Sequence, residues 1–333
     1  MAQAISIGVP ACNEERSIYA CLDSIAGQLY GGPLRVFVCI NGCDDGTEQR
    51  AREFWRQHPS IRGEVVYSRP GIAFALNRIV TAAMESAPAD PLLLMDADVV
   101  LCETFVESVV RELNRNERLI VVGGWPVPRI HPDVSLPRQL LQHILHARAF
   151  HPEAEISTRD VSHFKSYVHE MPQPCMTPQA ELQSKIFFHG RAYLLRAPTY
   201  FYMPLDANLV DDTFLANFIH TRHGAGTIRT RYDAVCYYEP HTSLREHFSA
   251  YLRYYMDKKH IDREFPEFAE SRRHEKTQLN WSYILRCGLS TTITFLCYAA
   301  VRTGEEGIFS VLPERDVGHM WLRSKTHTKM GLQ

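Results

Sequence analysis

No Cys-x-x-Cys pair occurs among the 9 cysteines, which are odd in number and scattered, so the chain spells neither a zinc ribbon nor a disulfide framework. The 16 histidines include no His-Glu-x-x-His or His-x-x-x-His spacing, which removes helical zinc sites of that kind. A basic excess is also missing. With a formal net charge of -2, bulk nucleic-acid binding is not indicated. No apolar run reaches the roughly 20 residues that a spanning helix needs. The opening Met1-Ala2-Gln3-Ala4-Ile5-Ser6 has no basic leader, so the expectation is a chain without a secretory signal, working in a reducing cytoplasm. What is present is ordinary: 333 residues, 45% hydrophobic and 22% charged, enough for one large α/β domain or two smaller ones.

One run stands apart. Leu92-Leu93-Leu94-Met95 opens abruptly into Asp96-Ala97-Asp98. Apolar residues without polar alternation predict a strand covered on both faces, as in a parallel sheet. Ligands of such sheets collect at the carboxyl ends of the strands, where these aspartates fall. Two hard oxygen donors there suit Mg²⁺ or Mn²⁺ shared with a phosphorylated substrate. Aspartate also favours turns, so the triplet alone leaves both readings open.

The surrounding pattern alternates strand and helix. Ile5 to Val9 reads as a strand broken at Pro10, with Asn13-Glu14-Glu15 capping a helix that carries Ile18, Leu22, Ile25 and Leu29. Leu34 to Ile40 and Glu64 to Tyr67 read as further strands, each followed by a helical pattern. Four such alternations predict right-handed crossovers and a mostly parallel, doubly wound sheet. Leu119 to Val122 reads as a strand stopped by Gly123-Gly124. From Trp125 to Lys185 prolines break the pattern, leaving one helix over Leu136 to Ala149 and an acceptor-side insertion. Phe187 to Leu195 and Ile228 to Tyr238 are expected strands, and Thr213 to His220 an expected helix. Ser243-Leu244-Arg245-Glu246 is a capping box, opening a helix with Phe248, Tyr251, Leu252, Tyr255 and Met256 inward. Trp281 to Arg302 reads as one amphipathic helix, packed on the domain or lying at a membrane surface. The expected divisions are 1–124, 125–242 with the insertion at 125–185, and a helical extension over 243–333.

Several stretches together resemble the family 2 glycosyltransferases, enzymes of the GT-A fold that use nucleotide sugars. Pro10-Ala11-Cys12-Asn13-Glu14-Glu15 is similar to the family's opening turn, and Asn41-Gly42-Cys43-Asp44-Asp45-Gly46-Thr47 to its second loop. Gly71-Ile72-Ala73-Phe74-Ala75-Leu76-Asn77 is similar to a helix start, and Asp96-Ala97-Asp98 to the metal-binding D-x-D. Gly190 to Arg196 and Val210-Asp211-Asp212 look like later motifs. The resemblance implies a GT-A (Rossmann-like) α/β fold with a mostly parallel sheet. It implies donor contacts at Pro10, Ala11, Asn13, Glu14, Asn41, Gly71, Asn77 and Asp96. Mn²⁺ or Mg²⁺ would sit on Asp98 and Asp96, with His241 as a third ligand, and Asp212 would be catalytic base with Asp211 positioning.

Where processive synthases of the family carry Q-x-x-R-W, this chain has Ala250-Tyr251-Leu252-Arg253-Tyr254, so transfer of a single sugar is implied. Arg253 or Arg196 would stabilise the leaving diphosphate through paired N–H bonds. The expected partners are an NDP-sugar, UDP-linked first, and a glycan, lipid-linked or small-molecule acceptor. Nucleic acid and a spanning helix are not expected, and 281–302 leaves peripheral contact with the inner membrane face open. Two alternatives are a nucleotidyltransferase and a non-catalytic sugar-nucleotide or carbohydrate binding protein. The first usually carries a glycine-rich basic loop, and Pro10 to Arg16 is acidic without glycine.

Overall fold

The computed structural model describes residues 2–157, 187–197, 202–204, 211–224, 226–268 and 277–311. Two compact units make up the chain: Met1–Pro126 with Ser184–Tyr238, and Val127–Gln183 with Glu239–Gln333. Residues 158–186, nearly half of the expected insertion, lie outside the described residues, as does the tail after Val311.

The first unit contains β1 (Ile5–Ala11), α1 (Ile18–Ala26), β2 (Leu34–Asn41), α2 (Thr47–Gln57), β3 (Arg62–Ser68), α3 (Ile72–Ser86), β4 (Leu92–Met95) and β5 (Val99–Leu101). It continues with α4 (Phe105–Arg115), β6 (Val121–Pro128), β7 (Ala192–Leu195), α5 (Asp211–His223) and β8 (Ile228–Tyr238). One sheet holds the eight strands in the order β3-β2-β1-β4-β7-β6-β8-β5. β3, β2, β1 and β4 run parallel, the layer that the alternation predicts. Beyond β4 the direction reverses: β7 is antiparallel to both β4 and β6, and β5 to β8. All residues of β1 and β4 are buried, as continuous apolar strands between helical layers must be.

Three sequence expectations fail locally, each for a physical reason. Pro10 does not end β1. The N–H of Ser6 bonds the carbonyl of Pro91, so even-numbered N–H groups of β1 face β4, yet β4 pairs only over Ser6 to Gly8. At Pro10 that side has no ladder bond to lose. Asn13 does not cap a helix: it takes a left-handed conformation (φ 56°) and its Oδ1 accepts the Asp44 N–H at 2.9 Å, while α1 starts after Ser17. Gly123 and Gly124 do not stop β6. A Cβ at 123 would lie 2.6 Å from Cβ of Phe188, and one at 124 would lie 2.2 Å from the Phe105 ring and 2.7 Å from the Ala234 carbonyl. The glycines let α4 and β8 close on the strand. Further along, the strand expected over Phe187 to Leu195 covers only β7.

α4 packs through Phe105, Val106, Val109, Val110 and Leu113. Arg231 of β8 ties down its outer side, forking onto Asp233 at 2.8 Å and reaching Glu112 at 3.0 Å.

In the second unit the expected helix over Leu136 to Ala149 is split into Leu136–Leu145 and Ala147–Phe150. Strand Glu155–Ser157 pairs antiparallel with Thr277–Leu279. Helix Leu244–Glu264 begins at the expected capping box: Ser243 Oγ accepts the Glu246 N–H at 3.2 Å, and the Glu246 carboxylate accepts the Thr242 N–H at 2.7 Å. Of the expected inward set Met256 is buried, together with His247, Asp257 and Ile261, while Phe248, Tyr251, Leu252 and Tyr255 are half-buried. The Trp281 to Arg302 pattern forms two helices, Trp281–Arg286 and Leu289–Val311, separated at Gly288, whose φ of 101° no helix accommodates. Ile284, Phe295 and Tyr298 bury against Ala147 and Ala154, while Leu285, Leu289, Ile293 and Leu296 remain exposed. Among the described residues no helix is long and apolar enough to cross a membrane.

Substituting Gly124→Ala tests the packing at β6. Urea unfolding should show a loss of about 1–3 kcal/mol, the usual cost of overpacking; unchanged stability would mean that α4 and β8 do not close on this strand.

Candidate active site

The carboxyl ends of β1, β2 and β4 carry half of the expected site residues, and side-chain to main-chain bonds stitch their loops together. Glu14 N–H donates to Thr47 Oγ1 at 2.7 Å, Thr47 N–H to Asp45 Oδ1 at 3.0 Å, and Asn13 Oδ1 receives the Asp44 N–H. Asn41 spends its amide on Gly71 in both directions, donating to the carbonyl and accepting the N–H at 2.8 Å each. That bond pair pins Gly71 at a φ of 126°, conformational space that only glycine enters freely. Asn77 does the same for Met203, at 2.8 and 2.6 Å. Asn13, Asn41 and Asn77 therefore build the rim. Pro10 and Ala11 are the buried end of β1, and the carboxylate of Glu14 turns back onto the hydroxyl of Ser17.

Asp96 and Asp98 sit in the turn between β4 and β5, on either side of the buried Ala97. Their side chains are 34% and 35% exposed, open enough for a cation to approach. The N–H of Asp96 is fixed on the carbonyl of Arg191, at 3.0 Å. Arg191 is the residue that sequence reasoning passed over. Its Nη1 lies 4.0 Å from Asp96 Oδ2 and 3.9 Å from Asp98 Oδ1, and its guanidinium carbon rests 3.8 Å from the ring centroid of Tyr238. Burial would lower its pKa, but Asp98 first, then Tyr238 and Asp96, hold it above the ordinary arginine value. The signal was an arginine directly after Gly190, at the mouth of a buried strand.

Asp212, in the first turn of α5, approaches the same strand. Its Oδ2 accepts the N–H of Gly190 at 2.9 Å, and Oδ1 faces the Thr213 hydroxyl at 3.3 Å. A Cβ on residue 190 would lie 3.0 Å from Asp212 Cβ, which is why glycine stands there. Burial pushes the Asp212 carboxyl up from the usual aspartate range, opposed by the N–H groups of Gly190 and Thr213, the Thr213 hydroxyl and, last, Arg191. Asp211 opens the helix, and its side chain lies outside the described residues.

Arg196 is committed elsewhere. Its guanidinium bonds the carbonyls of Leu119 at 2.6 Å, Asn116 at 2.9 Å and Leu113, closing the C-terminal end of α4. Those N–H groups are taken, so the expected contact with a leaving diphosphate is not where this arginine is built. His241 and Arg253 belong to the second unit. There His241 Nδ1 faces His247 Nδ1 at 3.3 Å. Burial, then the charges of His241 and Arg302, push the His247 imidazole down to about 3, so it stays neutral at physiological pH. Arg253 lies half-buried on helix Leu244–Glu264. Among the described residues no group of three or more His, Cys, Asp or Glu side chains is placed to hold a metal ion.

Residues 6–171 match the family described as Glycosyl transferase family 2. The chain belongs to that family. Among curated relatives of the family, an uncharacterised glycosyltransferase, YfnE, of Bacillus subtilis (strain 168) is 29% identical over 118 residues, which are 35% of this chain and 29% of its own. An N-acetylglucosaminyltransferase of Neorhizobium galegae is 28% identical over 116 residues, covering 34% of this chain and 26% of its own. The chain thus matches less than a third of either relative's length. Among solved structures, the mannosyltransferase PcManGT from Pyrobaculum calidifontis, in complex with GDP-Man and Mn²⁺, superposes over 98% of this chain and 84% of its own. The TM-score is 0.50 at 19% identity, a likeness of fold alone, and that fold is GT-A.

The Asp212 carboxyl gives a stability test. A raised folded-state pKa means that the folded chain holds the proton more tightly, so stability falls as pH rises through the folded value. Asp212→Asn should melt at or above the wild type at pH 7, with the gap closing as pH falls through the raised folded-state value towards 3.8. A variant that melts lower at pH 7 would contradict a carboxylate held at a desolvation cost.

Proposed function

We propose that this chain transfers one sugar from a nucleoside diphosphate sugar to an acceptor hydroxyl, in a single inverting displacement. The observation that carries the reading is the start of β7, where Gly190 holds Asp212 while Arg191 faces Asp96 and Asp98. A base and a pair of carboxylates thereby meet one short segment of the first unit. Family membership supports glycosyl transfer, and the named nucleotide-sugar complex of a protein of like fold supports the donor class.

Asp212 accepts the proton of the attacking hydroxyl. Its raised pKa makes it a stronger base than an exposed aspartate, and the Gly190 N–H fixes which oxygen faces the acceptor. Asp211, its neighbour, positions the acceptor. Asp96 and Asp98 fit a divalent cation, Mn²⁺ or Mg²⁺: both are hard oxygen donors, both are partly exposed, and the buried Ala97 keeps them in one turn. Such a cation supplies positive charge to a leaving diphosphate. With an α-linked donor, attack from the opposite face gives a β product.

The test is incubation with UDP-, GDP-, dTDP- and CDP-sugars and a crude acceptor extract, with and without Mn²⁺. Released nucleoside diphosphate together with glycosylated product is expected from one donor. Pyrophosphate release would instead mark a nucleotidyltransferase, and neither product would mark a binding protein. Asp212→Asn should lower transfer roughly 100- to 10,000-fold with donor binding retained, and unchanged turnover would remove Asp212 as base. The acid limb of kcat/KM should lie above the ordinary aspartate value of 3.8, because activity grows as the raised Asp212 carboxyl ionises.

A further inference from the structure

Two arginines enter the strand region around β7, and they differ in how their donors are spent. Arg196 has given its guanidinium to three main-chain carbonyls. Arg191 stands 3.9 and 4.0 Å from the two carboxylates, within ion-pair range but too far for a hydrogen bond. What holds it in place is the Tyr238 ring under the guanidinium and the main-chain bond from Asp96 to its own carbonyl. Neither depends on the Asp96 and Asp98 charges. The side chain is 31% exposed.

We propose that Arg191 binds the diphosphate of the nucleotide, and that before the nucleotide and its cation arrive it serves as counter-ion to Asp96 and Asp98. The proposal rests on the reading of those carboxylates as the cation site. A divalent cation held by Asp96 and Asp98 would present its diphosphate beside these carboxylates, and the guanidinium stands 3.9 and 4.0 Å from them. A cation approaching alone meets the charge of Arg191 and is repelled; a cation arriving with a diphosphate brings anionic oxygens for the same guanidinium, which two parallel N–H groups suit. Binding of cation and nucleotide is thereby coupled through one side chain. Tyr238 keeps the guanidinium in reach throughout, so no loop needs to move.

The measurement is the Mn²⁺ dissociation constant, from the electron paramagnetic resonance of free Mn²⁺, alone and then with saturating UDP or GDP. Wild type, Arg191→Gln, Arg191→Lys and Asp98→Asn are compared after each is shown by its melting curve to be folded. In the wild type one nucleotide should tighten Mn²⁺ binding severalfold. Arg191→Gln should bind Mn²⁺ alone about threefold to tenfold tighter, because the competing charge is gone, and should lose most of the gain from nucleotide. Arg191→Lys keeps the charge without the fork, so it should bind Mn²⁺ alone like the wild type and show a reduced nucleotide gain. That variant also serves if the glutamine chain does not fold. Mn²⁺ binding that depends on Asp98 but is the same in all Arg191 variants, with and without nucleotide, would overturn the assignment of Arg191 alone. Mn²⁺ binding unaltered in Asp98→Asn would overturn the cation site itself, and this inference with it.

Discussion

The antiparallel pairing of β7 with β4 is the constraint on which the rest of the site depends. Four strands in parallel deliver apolar chain to one edge, and the turn of Asp96 and Asp98 emerges there. Parallel order alone places no partner opposite that turn. β7 returns from another part of the chain in the reverse direction, with Ala192 against Met95, so that Arg191 and Gly190 fall just beyond the carboxylates. The main-chain bond from Asp96 to Arg191 extends the pairing one step past the strand. From that register follow the counter-ion of the carboxylate pair and the N–H that holds Asp212.

Charge is arranged around this segment with little redundancy. Asp212 is half-buried and desolvation raises its pKa, which is useful in a base and costly to stability. Arg191 is held by an aromatic face as well as by the aspartates, so its position survives a change in their charge. The asparagines around the rim do the opposite work. Asn13, Asn41 and Asn77 bond backbone groups of neighbouring loops and so fix those loops.

Much of the fold was legible because burial on both faces leaves a plain mark: Leu92 to Met95 and Leu34 to Ile40 are apolar without alternation. The two aspartates after Met95 were legible for the same reason, since polar residues ending such a run lie at a sheet edge. Less legible was anything set by contacts distant in sequence. Gly123-Gly124 reads as a stop until Phe105 and Phe188 are seen against it. Arg196 and Arg191 look alike in sequence, and only the closeness of the α4 carbonyls to one and of Asp96 to the other separates them. Asn41 reads as a donor contact, and the structure adds Gly71 on both its hydrogen-bonding groups. Pattern gives the elements; tertiary neighbours decide what a polar side chain does.

In the proposed reaction Asp212 drives a single displacement at a sheet edge whose carboxylates attend the leaving group, and the configuration of the new glycosidic bond reports on it. With an α-linked nucleotide sugar, the anomeric proton of the first-formed product, followed by NMR from the earliest turnover, should show a β linkage. An α linkage in that first product would contradict the account, because it requires either two displacements or attack from the leaving-group face, and Asp212 would serve neither in the role given to it.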